Sequence, residues 1–441
     1  MGKRYLLIIL IFLFLILMLF VSCNTAAVCT SDGASSITAQ ESAPPRTTVT
    51  NAGSQLPTPD EIASNTYAAA GLELTLTVCR QYYDLETHRL SAALDSLDTA
   101  MAWPLASYLE MLAEAYRLFP DNTEIRAYYL DALDRCLPAY LVENATVRAP
   151  SGEFYHGVTY CNAGAYAEGN YFYDDNAWIC IQLLDAYRLL ANREYLILAE
   201  RLLSFLWTGW DDKAGGIYWE RTFSQKNLCT NGPVLVAYLT AYEITDDQSY
   251  LDCAEKIYTW CYTMLRNRGG LYHAELIDPS ASAFDPDNLH PFVASYDQGT
   301  MMTASALLYR ITKDRRYYDA LSDTAAASVG LMFEGEDRMK GNPIFKSWGI
   351  GWALRGEMSA FMTGCTHSSS RFMRYFARVL DRLMTTKDEK GHYDPYFMTG
   401  EWWPPEDMPD IGHYDREVIQ PSGVATAFLL TARYQLYWSE E

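Results

Sequence analysis

Two adjacent carboxylates, Asp174 and Asp175, lie in the run Gly169-Asn170-Tyr171-Phe172-Tyr173-Asp174-Asp175-Asn176-Ala177-Trp178. Directly after them the spacing of Trp178, Leu183, Leu184, Tyr187 and Leu190 predicts an amphipathic helix. Acids at a helix start accept hydrogen bonds from free backbone N–H groups and meet the positive end of the macrodipole. On one reading, then, Asp175 or Asn176 is a cap with aromatic core neighbours. On the other, the two acids are a pair for glycoside hydrolysis. A retaining glycosidase needs a nucleophile and an acid/base about 5–5.5 Å apart, and neighbouring residues place their Cβ atoms at roughly that spacing. One acid must be ionised and the other protonated, and mutual repulsion supplies part of that difference. The flanking aromatics suit this role, because sugar rings stack their C–H faces on Tyr and Trp. The local sequence leaves both readings open.

Other chemistry-bearing residues fall in further Gly- and aromatic-rich stretches. Gly215-Gly216-Ile217-Tyr218-Trp219 is followed by Lys226-Asn227 and Thr230-Asn231-Gly232-Pro233. Tyr218 and Trp219 offer a stacking surface, and Asn231 either binds hydroxyls or caps the next helix. Tyr296-Asp297-Gln298-Gly299-Thr300 again precedes a helical pattern, with Asp297 and Gln298 placed to grip sugar hydroxyls or to cap. Glu401-Trp402-Trp403-Pro404-Pro405 reads as a rigid aromatic loop, and Gln420 stands at the last helix as Gln298 does at its own. The seven histidines show no metal-ligand spacing, and no GxSxG elbow or Walker loop occurs. Asp285-Pro286-Asp287-Asn288 lacks the order of an EF-hand.

The elements that must position these residues are helices. A hairpin pattern recurs: Tyr187 with Tyr195, Tyr242 with Tyr250, and Tyr309 with Tyr317, each pair straddling a polar turn. A looser copy runs Tyr116, then Pro120-Asp121-Asn122, then Ile125. The units lie further apart than in common helical solenoids. The extra length sits in long loops before each first helix, at 152–173, 210–228, 269–297 and 391–420. Short turns on one face and long loops on the other predict an all-α (α/α)6 barrel, a toroid of six helical hairpins with its cleft among the long loops.

Met1-Gly2-Lys3-Arg4, an apolar run to Val21 and Ser22-Cys23 describe a secretory signal over 1–22. The Phe20-Val21-Ser22-Cys23 ending resembles a bacterial lipobox, which implies cleavage before Cys23 and lipidation of its thiol. Residues 23–59, rich in Ser, Thr, Ala and Pro, bury too little to fold and read as a flexible tether. The folded domain is then 60–441, exported and held at the cell envelope, on the outer membrane surface or in the periplasm. A net charge of −21 argues against nucleic acid or a polyanion as partner and is compatible with a neutral polysaccharide. The 33 tyrosines and 11 tryptophans suit a carbohydrate cleft as well as a core. No CxxC occurs among the ten cysteines, so buried free thiols are expected rather than a zinc site. A monomer is expected.

Tyr173-Asp174-Asp175-Asn176-Ala177-Trp178 resembles the signature of glycoside hydrolase family 76, the endo-α-1,6-mannanases and their fungal cell-wall relatives. The likeness continues through Gly216-Ile217-Tyr218-Trp219 with Lys226-Asn227, then Tyr296 to Thr300, to Gln420. It implies an (α/α)6 fold and retaining cleavage of α-1,6-mannosidic linkages in mannan, with no metal or other cofactor required. Asp174 would be the nucleophile and Asp175 the acid/base. Tyr173, Asn176, Tyr218, Trp219, Asn231, Asp297 and Gln298 are the candidate substrate contacts; no family role attaches to Leu228-Cys229-Thr230. Two other readings are a surface glycan-binding lipoprotein, against which the intact acid pair speaks, and another (α/α)6 enzyme such as a uronyl hydrolase or epimerase. The latter would want cations or histidines, and the motif loops are poor in both.

Overall fold

The computed structural model describes residues 56–162, 170–336, 338–340, 347–395 and 417–438, all within the unit Pro44–Glu441. The signal segment, Cys23, the tether up to residue 55 and the 401–405 loop lie outside the described residues. A capping box between Thr58 and Glu61 starts a one-turn helix, Pro59–Ser64.

Two-residue turns build the hairpins. Helices α4 (Tyr173–Leu190), α6 (Leu228–Thr245) and α8 (Ser295–Thr312) each end on a left-handed residue, Ala191, Asp246 and Lys313. The N–H of each bonds back to the carbonyl of Tyr187, Tyr242 or Tyr309. The very next residue, Asn192, Asp247 or Asp314, caps the following helix with its side chain: α5 (Arg193–Trp207), α7 (Gln248–Met264) and α9 (Arg315–Met332). This fixed turn explains why the paired tyrosines recur at one spacing. Asn65 and Asn122 cap α1 (Thr66–Tyr82) and α3 (Thr123–Asp131) in the same way.

With α2 (Ala102–Leu118), α10 (Trp348–Thr363), α11 (Thr366–Leu383) and α12 (Ile419–Trp438), the described helices form a double ring. The even-numbered helices close an inner ring in the order α2, α4, α6, α8, α10, α12 and back to α2, and the odd-numbered ones pack outside it. Burial follows from composition. α6 and α12 are apolar around most of their circumference and are buried, whereas α11 carries one apolar stripe. α8 and α10 cross on glycines: a Cβ on Gly299 would lie 2.1 Å from the Trp352 carbonyl oxygen. The fold is the expected (α/α)6 barrel, with one addition. Leu141–Arg148 (β3) and Phe154–Tyr160 (β4) form an antiparallel hairpin, which follows the small Tyr83–Asp84 (β1) and Arg89–Leu90 (β2) ladder. Alternating burial along β3, with Ala145 and Val147 inward, is its signature in the sequence.

The lumen of the inner ring is filled in layers. At the long-loop end lies an aromatic floor from four inner helices: Trp103, Trp178, Trp348 and Trp352, with Tyr296 at its edge. Below it is a buried ion network. Arg355 binds Glu110 at 2.6 Å and Glu114 at 2.9 Å, Arg433 binds Glu114 at 2.5 Å, and the Trp348 indole N–H donates to Glu110 at 2.9 Å. The arginines hold the fully buried Glu114 carboxylate well below its usual range against the desolvation. Glu114→Ala therefore leaves the largely buried Arg433 guanidinium without its carboxylate and Arg355 with Glu110 alone, and urea unfolding should show a loss of about 3–5 kcal/mol.

Glu357 shows the opposite case. It is buried beside Ser369 on α11, and burial pushes its pKa up to about 8. A carboxyl whose folded pKa lies above its unfolded value costs stability as pH rises between the two. Glu357→Gln should raise Tm at pH 7–8, with the gain fading toward pH 4.5. A gain that does not depend on pH would contradict this.

Candidate active site

Three inner helices begin in one register. Asn176 on α4, Asn231 on α6 and Gln298 on α8 each occupy the fourth helical position. Each amide makes the same three kinds of bond. Asn231 accepts from Ile217 N at 2.8 Å and donates to the carbonyls of Ile217 (2.9 Å) and Asn227 (2.8 Å). Gln298 does so with Tyr272 N (2.8 Å) and the carbonyls of Tyr272 and Ala294 (both 2.9 Å). Asn176 does so with Tyr160 N (2.7 Å) and the carbonyls of Tyr160 (3.0 Å) and Phe172 (2.8 Å), with Thr159 Oγ1 as an added donor. Each side chain thus supplies a donor and an acceptor to one residue of the preceding segment, a loop for Ile217 and Tyr272 and the end of β4 for Tyr160, and ties down an orphan carbonyl of its own helix start.

These clamps deliver the catalytic candidates. Ile217 is fixed by Asn231, and two residues later the Trp219 carbonyl accepts from Tyr173 N at the start of α4, at 2.9 Å. Trp219 is thereby held over the first turn of α4, against Phe172, and its indole N–H donates to Asp174 Oδ2 at 2.9 Å. Cys229, second in α6 as Asp174 is second in α4, donates its S–H to the same oxygen at 3.8 Å. Asp174 Oδ1 accepts from Asp175 N at 2.9 Å. No side chain caps α4, and its N-cap position is Phe172, so neither acid serves as the ordinary N-cap.

The two acids are electrostatically distinct. Desolvation above the tryptophan floor pushes Asp174 above the usual carboxylate range, and the Trp219 and Asp175 N–H bonds pull it partly back. Asp175 is raised well above that range, first by desolvation and then by the charge of Asp174. Among the described residues one acid has donors and the other none, and this side-by-side, partly exposed pair is equipped for an ionised nucleophile and a protonated donor. They titrate as a pair.

The other expected contacts divide. Trp219 and Tyr218 are partly exposed, although the Tyr218 hydroxyl donates to Asp211 at 3.1 Å beneath the Lys226 ammonium. Tyr173 is turned away: fully buried, it stacks on Phe205 and bonds Thr208 Oγ1 at 3.1 Å, so it is core rather than contact. Asn176, Asn231 and Gln298 are likewise corrected. They are buried and already bonded to backbone, so they act as clamps and not as sugar contacts. Asp297 is buried, neither of its carboxyl oxygens has a hydrogen-bond partner among the described residues, and desolvation raises it well above the carboxylate range. Cys229 had no expected role. Aligning the sequence on the three helical amides would have placed it opposite Asp174. The eight described cysteines are free thiols.

Asn231→Ala should leave the buried Ile217 N–H and carbonyl unpaired, at about 1–3 kcal/mol each in urea unfolding. The same change should loosen Trp219, seen as altered indole fluorescence in the folded state. Loss of stability well under 1 kcal/mol would show that water replaces the clamp.

The model of the family described as "Glycosyl hydrolase family 76" matches residues 68–398. A curated relative, "Mannan endo-1,6-alpha-mannosidase DCW1" of Saccharomyces cerevisiae, is 27% identical over 228 residues, covering 48% of this chain and 46% of its own length. The chain thus spans about half the length of the curated relatives it matches. Among solved structures, the family 76 α-mannanase of Bacteroides thetaiotaomicron superposes with a TM-score of 0.68 at 21% identity, covering 86% of this chain and 99% of that one. An inactive double Asp-to-Asn variant of the Salegentibacter sp. HEL1_6 α-1,6-mannanase, in complex with α-1,6-mannotriose, gives 0.62 at 20% identity, covering 84% and 99%. These likenesses show the shared fold. With the family model matched over most of its length, the chain belongs to glycosyl hydrolase family 76.

Proposed function

We propose that the protein is a retaining glycoside hydrolase that cleaves α-1,6-mannosidic linkages in mannan, as an endo-α-1,6-mannanase. The observation that carries this is the Asp174–Asp175 pair, free of capping duty, with the indole of Trp219 on one acid alone. Asp175, the higher of the two, protonates the glycosidic oxygen while Asp174 attacks the anomeric carbon. The covalent mannosyl enzyme is then released by a water that the now basic Asp175 deprotonates. Tyr218 and Trp219 are the contacts that keep an accessible face. Asp297, at the start of α8, is buried, and desolvation raises it well above the carboxylate range. The names of the curated relatives and of the inactivated Salegentibacter variant support the same linkage and the same type of residue.

The alternatives are a glycan-binding lipoprotein without activity and another (α/α)6 carbohydrate enzyme; the two differently tuned acids favour hydrolysis over both. For the rest of the chain we propose a signal over 1–22, lipidation at Cys23 and a tether over 23–59, which would hold a monomeric catalytic domain, 60–441, at the cell envelope. No helix among the described residues is long and apolar enough to cross a membrane.

The test is product release from linear α-1,6-mannan. The parent should give short oligosaccharides, and Asp174→Asn and Asp175→Asn should each lower kcat/KM by about 10²–10⁴-fold or more. With an aryl α-1,6-mannobioside and azide, Asp175→Ala should yield the α-azide and Asp174→Ala the β-azide, as double displacement requires. The activity profile should be bell-shaped. Its acid limb, loss of the Asp174 anion, and its basic limb, loss of the Asp175 proton, should both lie above the ordinary carboxylate range, because burial raises both groups. Binding without turnover would favour the glycan-binding reading.

A further inference from the structure

Among the eight described cysteines, Cys229 alone is partly exposed rather than buried. It stands at the second position of α6, where the neighbouring inner helices carry Asp174 and Tyr296. A small apolar residue would fill that place as well, if filling were all it did. Its Sγ instead lies 3.8 Å from Asp174 Oδ2, the oxygen that also accepts the Trp219 indole N–H at 2.9 Å.

We propose that Cys229 is a positioning residue for Asp174: its S–H and the Trp219 N–H converge on one carboxylate oxygen and fix Asp174 as the attacking member of the pair. This deepens the hydrolase reading above and rests on the nucleophile role given there to Asp174.

The chemistry of the surroundings keeps the thiol a donor. Desolvation pushes Cys229 well above the ordinary thiol range, and the carboxyl groups of Asp174, Asp297 and Glu275 push it the same way. It therefore carries its proton throughout the working range of a carboxylate pair. A thiolate there would repel Asp174; a thiol stabilises its anion. The titratable groups around Asp174 are Asp175 on α4, Cys229 on α6, Tyr296 and Asp297 on α8, and Glu275 in the loop before α8. All are acids, so among the described residues hydrogen-bond donors, and not a neighbouring cation, hold Asp174 below Asp175. Among the described residues only Asp174 receives such donors; Asp175 is raised by desolvation and by the Asp174 charge. The two donors thus make a chemical distinction between two carboxyl groups that are covalently alike.

The indole N–H of Trp219 gives a readout that needs no substrate. Its ¹⁵N–¹H signal, assigned through Trp219→Phe, should titrate with Asp174. Cys229→Ala should move that midpoint up by about half a unit or more, since a donor to the anion is lost. Cys229→Ser, which keeps a donor, should stay near the parent. In kinetics the acid limb of kcat should follow the same order, with KM little changed. An unmoved midpoint in Cys229→Ala, or a serine variant that shifts as far as the alanine one, would overturn the proposal. If alanine disturbs the ring, seen as loss of dispersion in the other indole signals, Cys229→Val carries the same expectation. A shifted midpoint in an enzyme that leaves every mannan intact would support the positioning role and sink the hydrolase reading instead.

Discussion

Two carboxyl groups side by side in a water-poor cleft are an unfavourable arrangement, and much of the molecule is organised around making it tolerable. Burial alone raises both, and their proximity raises the second further. The first turn of α4 helps the ionised member, since the helix start presents free N–H groups and the positive end of the macrodipole. The tryptophan floor beneath, with Trp178 one turn below Asp174 on the same helix, works in the opposite sense by excluding water. The balance leaves one acid able to ionise and the other held protonated, which is the condition for double displacement. It also means that the pair subtracts from stability, which the ring must supply elsewhere.

That supply comes from the other end of the lumen and from the loops. Glu110, Glu114, Arg355 and Arg433 join α2, α10 and α12 below the floor, and Trp348 couples floor to network through its bond to Glu110. In the loops above, isolated bridges such as Trp210 with Ile217 and Phe172 with Glu220 pair part of the backbone, and Asn231 supplies the partners that Ile217 still needs. A side-chain amide offers a donor and an acceptor in the geometry of a backbone partner. Used at one register on three helices, it turns long loops into fixed walls without adding strands.

Much of this was legible in the sequence. The tyrosine pairs straddling Ala191-Asn192, Asp246-Asp247 and Lys313-Asp314 reflect one left-handed residue followed by one capping residue, a short-range rule that sequence displays directly. The acid pair was legible because two adjacent carboxylates in an aromatic frame exceed what a cap requires. What sequence obscured was direction. Tyr173 adjoins Asp174, yet successive helical residues point about 100° apart, and that rotation sends its ring into the core. Asn176, Asn231 and Gln298 looked like sugar ligands because a polar amide beside a motif satisfies either role. Only the register of the helix start, uncertain by a residue or two from sequence, separates a clamp from a contact.

The same register accounts for the asymmetry of the site. Aligned on their amides, α4, α6 and α8 carry Asp174, Cys229 and Tyr296 at the second position and Asp175, Thr230 and Asp297 at the third. Asp175 and Asp297 are thus equivalent by position, and both are raised well above the carboxylate range. Their difference is access. Asp175 is partly exposed, whereas Asp297 is sealed. On the proposed mechanism the acid/base hands its proton to a substrate oxygen and recovers it from water, a task that suits the open copy and not the sealed one. Among its inner helices the quasi-repeated fold offers two acidic starts, α4 and α8, and only the acids of α4 keep an accessible face.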